Sequence, residues 1–425
     1  MKIVVALDSF KGSLTAVQAC DLVAEAIRSV RPDAEVVTMP MADGGEGTAS
    51  VLMAAAGGEW IGKGVMGPLP EMEVEAGFVW LPGSSTALVE MATASGLPLL
   101  KPEQRNPLKT TTYGTGQLIK AAIDRGANHI LLAIGGSATV DGGVGAATAL
   151  GWRFFAKDAQ EIGFGGGQLS RIETIIAPGW AAASIAACGS FPSWRGRPAL
   201  AGRSEEQGQD GLATVQPSPR PSALRLPPGV AVEVLCDVDN PLCGEHGAAR
   251  VFGPQKGATP EMVEQLDAGL AHLARLVKEQ LGRDIAELPG AGAAGGLAAG
   301  AVAFLNGRLI SGVEAVMSQN RLPEAVAGAD WVVTGEGSFD EQSLRGKVVS
   351  GVVRIARASG AKVAVCAGQV RLEPGKYRQA GIEVAVACMD AGMELDYAIA
   401  HGAELLDGAA RRFARDYLSE KETCP

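Results

Sequence analysis

Short runs of aliphatic and β-branched residues recur along this chain, and each ends in or near a turn built from glycine and carboxylates. The run 3–7 ends at Asp8-Ser9, and 35–39 leads to Asp43-Gly44-Gly45-Glu46-Gly47. The run 130–134 meets Gly135-Gly136-Ser137, 233–236 meets Asp237-Val238-Asp239, and 331–334 meets Gly335-Glu336-Gly337-Ser338. Short apolar runs without alternation suit strands buried on both faces, and such strands occur in parallel sheets covered by helices. Helical patterns lie between them. Val17, Val23 and Ile27 recur among polar residues after the first run, and 117–125 precedes the run at 130–134. Thr259 before Pro260 is an N-cap followed by proline at the first helical position. Val263, Leu266, Leu270, Leu273 and Val277 then give the apolar stripe of a helix over 260–281. Alternation of strand and helix predicts an α/β fold with parallel sheets flanked by helices.

Both chain ends carry strand–turn–helix units, and the middle has strands of its own. This predicts two α/β domains, one inserted into the other: residues 1–61 with 289–425 form a discontinuous Rossmann-like domain, and 62–288 the inserted one. Residues 190–228 hold 7 Pro, 5 Ser, 5 Arg and 4 Gly without periodicity and read as a flexible insertion.

Composition removes several functional classes. A formal net charge of −10 argues against nucleic acid as the main partner, because a phosphate backbone requires a basic surface. No apolar stretch is long enough to cross a membrane, and the apolar run at the N-terminus is too short for a signal peptide. The 7 cysteines form no CxxC pair and read as free thiols of a reducing cytoplasm. The 4 histidines lack zinc spacing, and no Walker motif is present. Glycine, by contrast, is in excess: 57 of 425 residues, nearly twice the usual ~7%. Few of these lie in 190–228. The rest gather largely in turns beside Asp, Glu, Ser and Lys, some of them at the ends of predicted strands, where open α/β sheets bind ligands.

The chemistry available there is carboxylates, backbone N–H groups and lysines. Gly135-Gly136-Ser137-Ala138-Thr139 can present successive N–H donors to an anion. A second glycine loop contains Gly290-x-Gly292-x-x-Gly295, but it follows Leu288-Pro289 rather than a strand, so close packing accounts for it equally well. Lys11, Lys256 and Lys347 lie in polar turns near these strand ends and suit neutralisation of phosphate.

Collinear motifs carry a closer likeness. Asp8-Ser-Phe-Lys11-Gly, Met41-Ala-Asp43-Gly-Gly-Glu46-Gly-Thr, Arg105-Asn-Pro-Leu and Gly135-Gly-Ser-Ala-Thr-Val-Asp141-Gly-Gly run through the first part of the chain. Cys236-Asp-Val-Asp-Asn-Pro, Phe252-Gly-Pro-Gln-Lys256-Gly, Pro289-Gly-Ala-Gly-Ala-Ala-Gly-Gly and Thr334-Gly-Glu336-Gly-Ser-Phe-Asp340 continue it. The chain thereby resembles the bacterial type I glycerate kinases. The stretch 190–228 looks like an insertion relative to that pattern, and Ser338-Phe339 replaces a pair that is often Arg-Ile.

The resemblance implies an enzyme that phosphorylates D-glycerate with ATP and Mg²⁺, usually at the 2-hydroxyl, in the cleft between two α/β domains. Phosphoryl transfer needs alignment, charge neutralisation and a positioned alcohol. On that basis Asp8 or Asp43 is the base, with Lys11 and Glu46 beside them as catalytic candidates. Ser9, Arg105, Glu336 and Asp340 are candidates for substrate contact, Glu336 and Asp340 also for metal. Gly135, Gly136, Ser137, Thr139, Lys256, Gly292, Gly295 and Gly296 are candidates for the nucleotide phosphates, and Asp237 with Asp239 for Mg²⁺. Three other readings stay open: a glycerate 3-kinase; a phosphatase, since 5–8 ends in a strand-terminal aspartate but Phe10 stands where a second aspartate would be needed; and a non-catalytic sugar-acid sensor. The oligomeric state is open, a homo-oligomer included.

Overall fold

The computed structural model describes residues 1–45, 47–179, 229–344 and 347–418, the side chains of 55 and 56 excepted. The stretch 190–228 therefore lies outside the described residues. Two open sheets organise the chain. The first has five parallel strands in the order Val384–Ala387, Lys362–Ala367, Trp331–Gly335, Lys2–Leu7, Glu35–Thr38. In chain order this is the flavodoxin-like winding 2-1-3-4-5. Alternate residues of Lys2–Leu7 serve opposite faces. Ile3, Val5 and Leu7 pack under the helices Ala16–Val30 and Gly402–Tyr417. Val4 and Ala6 pack under Gly312–Gln319 and Val348–Ala358. Burial on both faces explains why residues 3–7 of the strand are all apolar. The helix Ala16–Val30 starts with a capping box: Thr15 Oγ1 accepts from Gln18 N–H at 3.2 Å, and Gln18 Oε1 accepts from Thr15 N–H at 3.0 Å.

The second sheet has six strands, in the order Arg308–Ile310, Ala231–Leu235, His129–Ala133, Thr86–Glu90, Glu73–Leu81, Glu59–Met66. The first four are mutually parallel, whereas the last two join antiparallel. Parallel pairing dominates the sheet, as expected, and an antiparallel pair of strands extends one edge. The outer strand Glu59–Met66 is mostly exposed and carries Gly62, Lys63 and Gly64, so it lacks the apolar signature of a buried strand. Its core joins Phe78, Leu118, Trp152, Phe154 and Phe304 with Leu266, Leu270 and Leu273 of the helix Pro260–Leu281. Thr259 Oγ1 accepts from Met262 N–H at 3.4 Å at the start of that helix.

The sheets do not change over at 61 and 289. Glu59–Met66 pairs in the six-stranded sheet from its first residue, and Arg308–Ile310 pairs there too. The helix Leu297–Leu305, apolar all round, is buried in the same core. Among the described residues no helix is long and apolar enough to cross a membrane.

The carboxyl ends of the two sheets meet across one loop. Gly44, at φ +86°, sits so close to the second sheet that a Cβ would lie 2.8 Å from both Gly312 Cα and Leu235 Cβ. Gly335 closes the first sheet more tightly still: a Cβ there would stand 1.8 Å from the Cys366 carbonyl oxygen. Gly335→Ala should therefore force the central strands apart, costing roughly 3 kcal/mol or more. Gly62→Ala, where the added carbon meets nothing within 4 Å, should be near neutral. Thermal unfolding of the two variants side by side checks this.

Candidate active site

Lys2–Leu7 and Trp331–Gly335 are neighbours from which the chain winds outward in opposite directions, so the crevice at their carboxyl ends is the switch point of the first sheet. Backbone bonds lace the loops around it. Asp8 N–H donates to Gly335 O at 2.9 Å, Ser9 N–H to Asp8 Oδ1 at 2.6 Å, and Gly368 N–H to Glu336 O at 3.1 Å. A cavity of about 370 Å³ opens there. Asp8, Ser9, Lys11, Asp43, Glu336, Asp340 and Lys347 line its polar end, and Met389, Leu395, Ala398 and Ile399 its apolar wall. Asp340 Oδ1 accepts from Gln342 N–H at 2.9 Å.

The second sheet ends in a cavity of about 410 Å³ lined by Gly135, Gly136, Ser137, Asp237, Phe252 and Lys256 among others. Lys256 is 2% exposed, and its Nζ donates to Ser137 Oγ at 2.6 Å and to the Thr139 carbonyl at 2.8 Å. Burial pulls the Lys256 ammonium down to about 7, against the opposing pull of Asp141. Asp141, 1% exposed, ties the glycine loop together. It accepts from Thr112 N–H at 2.8 Å, Gly143 N–H at 3.1 Å and Gly145 N–H at 3.3 Å. Burial raises its pKa, while those N–H donors pull it down.

A third cavity, about 590 Å³, runs from Asp8, Lys11 and Gln18 to Gly135 and Gly136 and so bridges the two sheets. Asp43 lines all three cavities. Its own Oδ1 accepts from Gly45 N–H at 3.0 Å. The carboxylates around it are crowded. Burial, with Asp43 and Glu336 adding repulsion, pushes Asp8 up to about 7. Asp237 keeps solvent on part of its surface, yet loss of water around its carboxylate and the nearby Asp43 push it up to about 6, against the bonds from Ser311 and Gly312. Glu336 is raised by burial, with Asp340 and Asp43 adding to it and Lys347 opposing, and its Oε1 is buried without a hydrogen-bond partner.

The structure thus brings together Asp8, Ser9, Lys11, Asp43, Glu336 and Asp340, and across the cleft Gly135, Gly136, Ser137, Asp237 and Lys256. Other candidates stand apart from these walls. Thr139 is fully buried and offers its carbonyl to Lys256. Arg105 packs against Gly257, its carbonyl oxygen 2.5 Å from where a Cβ on that glycine would be, and lines none of the three cavities. Gly292, Gly295 and Gly296 press on backbone or side chains: added carbons would lie 2.3 Å from Pro241 O, 1.9 Å from Thr139 O and 2.8 Å from Leu242 Cδ1. Close packing is their evident reason, and Ala293 and Ala294 are the residues that reach the cavity. Asp239 is exposed but lines none of the three cavities, and Glu46 lies outside the described residues. Sequence reasoning missed Gln369, Arg371, Met389, Leu395 and Ile399, which follow the strands Lys362–Ala367 and Val384–Ala387 and carry no motif.

The glycerate kinase family pattern matches residues 3–187 and 200–418 of this chain. The chain belongs to the glycerate kinase family. The match breaks only between 187 and 200, a narrower gap than the stretch 190–228. A glycerate kinase of Halalkalibacterium halodurans is 42% identical over 97% of both chains. The glycerate 2-kinase of Escherichia coli K12 is 38% identical, again over 97% of both. A crystal structure from Salmonella typhimurium LT2, assigned as a glycerate kinase 2, superposes with a TM-score of 0.78 at 36% identity, covering 98% of this chain and 97% of that one. Membership of this kinase family implies ATP use and leaves the phosphatase and sensor readings without support. The position where the phosphatase reading needs an aspartate holds Phe10, 7% exposed.

The raised pKa of Asp8 has a stability consequence. Between its ordinary value of 3.8 and about 7, the folded protein holds a proton that the unfolded chain has released. The contribution of this group to stability therefore falls as pH rises through that window and stays lost above it. Asp8→Asn should raise the thermal midpoint by about 2 °C or more at about pH 8, with a smaller gain at about pH 5. Thermal scans of both proteins at both pH values check the difference.

Proposed function

We propose that this protein transfers the γ-phosphoryl group of ATP to the 2-hydroxyl of D-glycerate, giving 2-phosphoglycerate. The observation that carries this reading is the position of Asp43, the residue common to the walls of both sheet-end cavities and of the channel joining them. Two ligands bound at the two ends would react beside it. Asp43 then accepts the hydroxyl proton as the alcohol attacks phosphorus. Lys11 and Lys347 supply positive charge on one side of the cleft, and Lys256 with the Gly135–Gly136 backbone supplies an anion subsite on the other. Asp8 and Glu336, raised by burial and by their neighbours, hold protons more readily than ordinary carboxylates and can donate to phosphate oxygens instead of repelling them.

Among the described residues no three His, Cys, Asp or Glu side chains converge as a metal cluster. Mg²⁺ needs less than that: one or two protein carboxylates with phosphate and water. Asp237 fits, since it reaches the cavity and Ser311 Oγ and Gly312 N–H fix its Oδ1 at 3.0 and 3.1 Å. Asp239 lies off the wall and is not part of this set. When bound, the ion neutralises charge on the transferring phosphate. The 2-position is supported by the name of the Escherichia coli relative, a glycerate 2-kinase. The dependence on ATP is the ground for proposing a cytoplasmic location. The sheets support a division into two domains near residues 58 and 311.

ATP consumption that depends on D-glycerate, with 2-phosphoglycerate identified by phosphorus NMR, is the expected result. Consumption without glycerate would overturn the reading, and 3-phosphoglycerate as product would overturn the position. Asp43→Asn should lower kcat by about 10²-fold or more in the same assay, the usual size of a general-base effect. A near-normal kcat would remove Asp43 from that role.

A further inference from the structure

The two sheet-end cavities differ in chemistry, and the difference assigns their ligands. The wall of the first cavity includes Leu395 and Ile399, one turn apart on the helix Leu395–Ala400. Leu395 is 58% exposed, so this apolar surface is left uncovered beside the polar end that holds Lys11 and Lys347. A three-carbon polyhydroxy acid has no apolar face to place there. A nucleotide has both parts, a flat base for the apolar wall and a charged tail for the lysines. The position agrees, because mononucleotides bind doubly wound sheets at the switch point. The other cavity offers what a small carboxylate requires. Lys256 is buried there on two oxygen acceptors, Ser137 Oγ and the Thr139 carbonyl, which hold the cation fixed without neutralising it. Burial makes this ammonium lose its proton more readily, and an anion arriving at Nζ restores the charge, so the site favours a carboxylate where little water competes.

Resting on the kinase reading, we infer that the nucleoside of the phosphoryl donor occupies the switch-point cavity with its base against Leu395 and Ile399, and that the carboxylate of the hydroxy acid is held by Lys256 and Ser137 in the other. This reverses the expectation that Ser137 and Lys256 serve the nucleotide phosphates. The triphosphate then runs from the first cavity toward Asp43, where the acceptor hydroxyl meets it.

The exposed position of Leu395 makes Leu395→Asp a variant that should fold, and Lys256→Met is its counterpart across the cleft. Steady-state kinetics with both substrates varied, and titration with a fluorescent ADP analogue, give the readouts. Leu395→Asp should raise KM for ATP and Kd for the analogue by about 10-fold or more, while KM for glycerate stays within about 2-fold. Lys256→Met should raise KM for glycerate by about 10-fold or more and leave analogue binding within about 2-fold. Any other pattern overturns the assignment, including loss of analogue binding in Lys256→Met or unchanged ATP affinity in Leu395→Asp. The analogue titration needs no turnover, so it tests the cavity even if glycerate proves not to be the acceptor.

Discussion

Like charges forced together at the meeting of two sheets are the constraint on which the rest of this structure depends. Asp43 stands on one loop between Asp8 and Glu336 on one side and Asp237 on the other, and it raises the pKa of all three. Such an arrangement opposes folding, since burial strips these carboxylates of hydration and sets them against one another, which Lys11 and Lys347 only partly offset. It persists because backbone holds it. Gly44 lets the loop touch Gly312 and Leu235, Gly335 lets adjacent strands close, and main-chain bonds join the loops after three strands. Groups kept in unfavourable protonation states within a cleft are what a catalytic site requires and what a structural core avoids.

The two sheets contribute different chemistry to that meeting point. The five-stranded sheet brings carboxylates, two lysines and an apolar wall that the helix Leu395–Ala400 supplies. The six-stranded sheet brings a glycine turn and one buried lysine, held by a loop that Asp141 ties down through three backbone N–H groups. Membership of the glycerate kinase family accounts for the need for two such half-sites, because donor and acceptor must be held separately and aligned.

Much of the framework was legible in the sequence. Strands buried on both faces announce themselves as apolar runs, and the capped helix Pro260–Leu281 follows from Thr259, Pro260 and its stripe. The half-exposed strands Glu59–Met66 and Glu73–Leu81 escaped, because glycines and charges break their apolar pattern. The glycine loop 290–296 shows the opposite failure. Its spacing looks like a ligand motif, yet its glycines meet neighbouring backbone and side chains. Sequence does not tell a glycine that admits a ligand from one that admits another loop.

The sequence by itself determined the α/β class, the strand ends that carry chemistry and the family, because buried strands and glycine–carboxylate turns are local patterns. Only the tertiary structure decided which turns share a cavity. Arg105, Asp239 and the glycines of 292–296 are equal to Asp8 and Asp43 as letters, but the winding of two separate sheets leaves them off the cavity walls. The apolar wall at Leu395 and Ile399 reaches the site from the far end of the chain through strand order alone. Proximity between residues hundreds of positions apart is set by topology and packing, which no local pattern records.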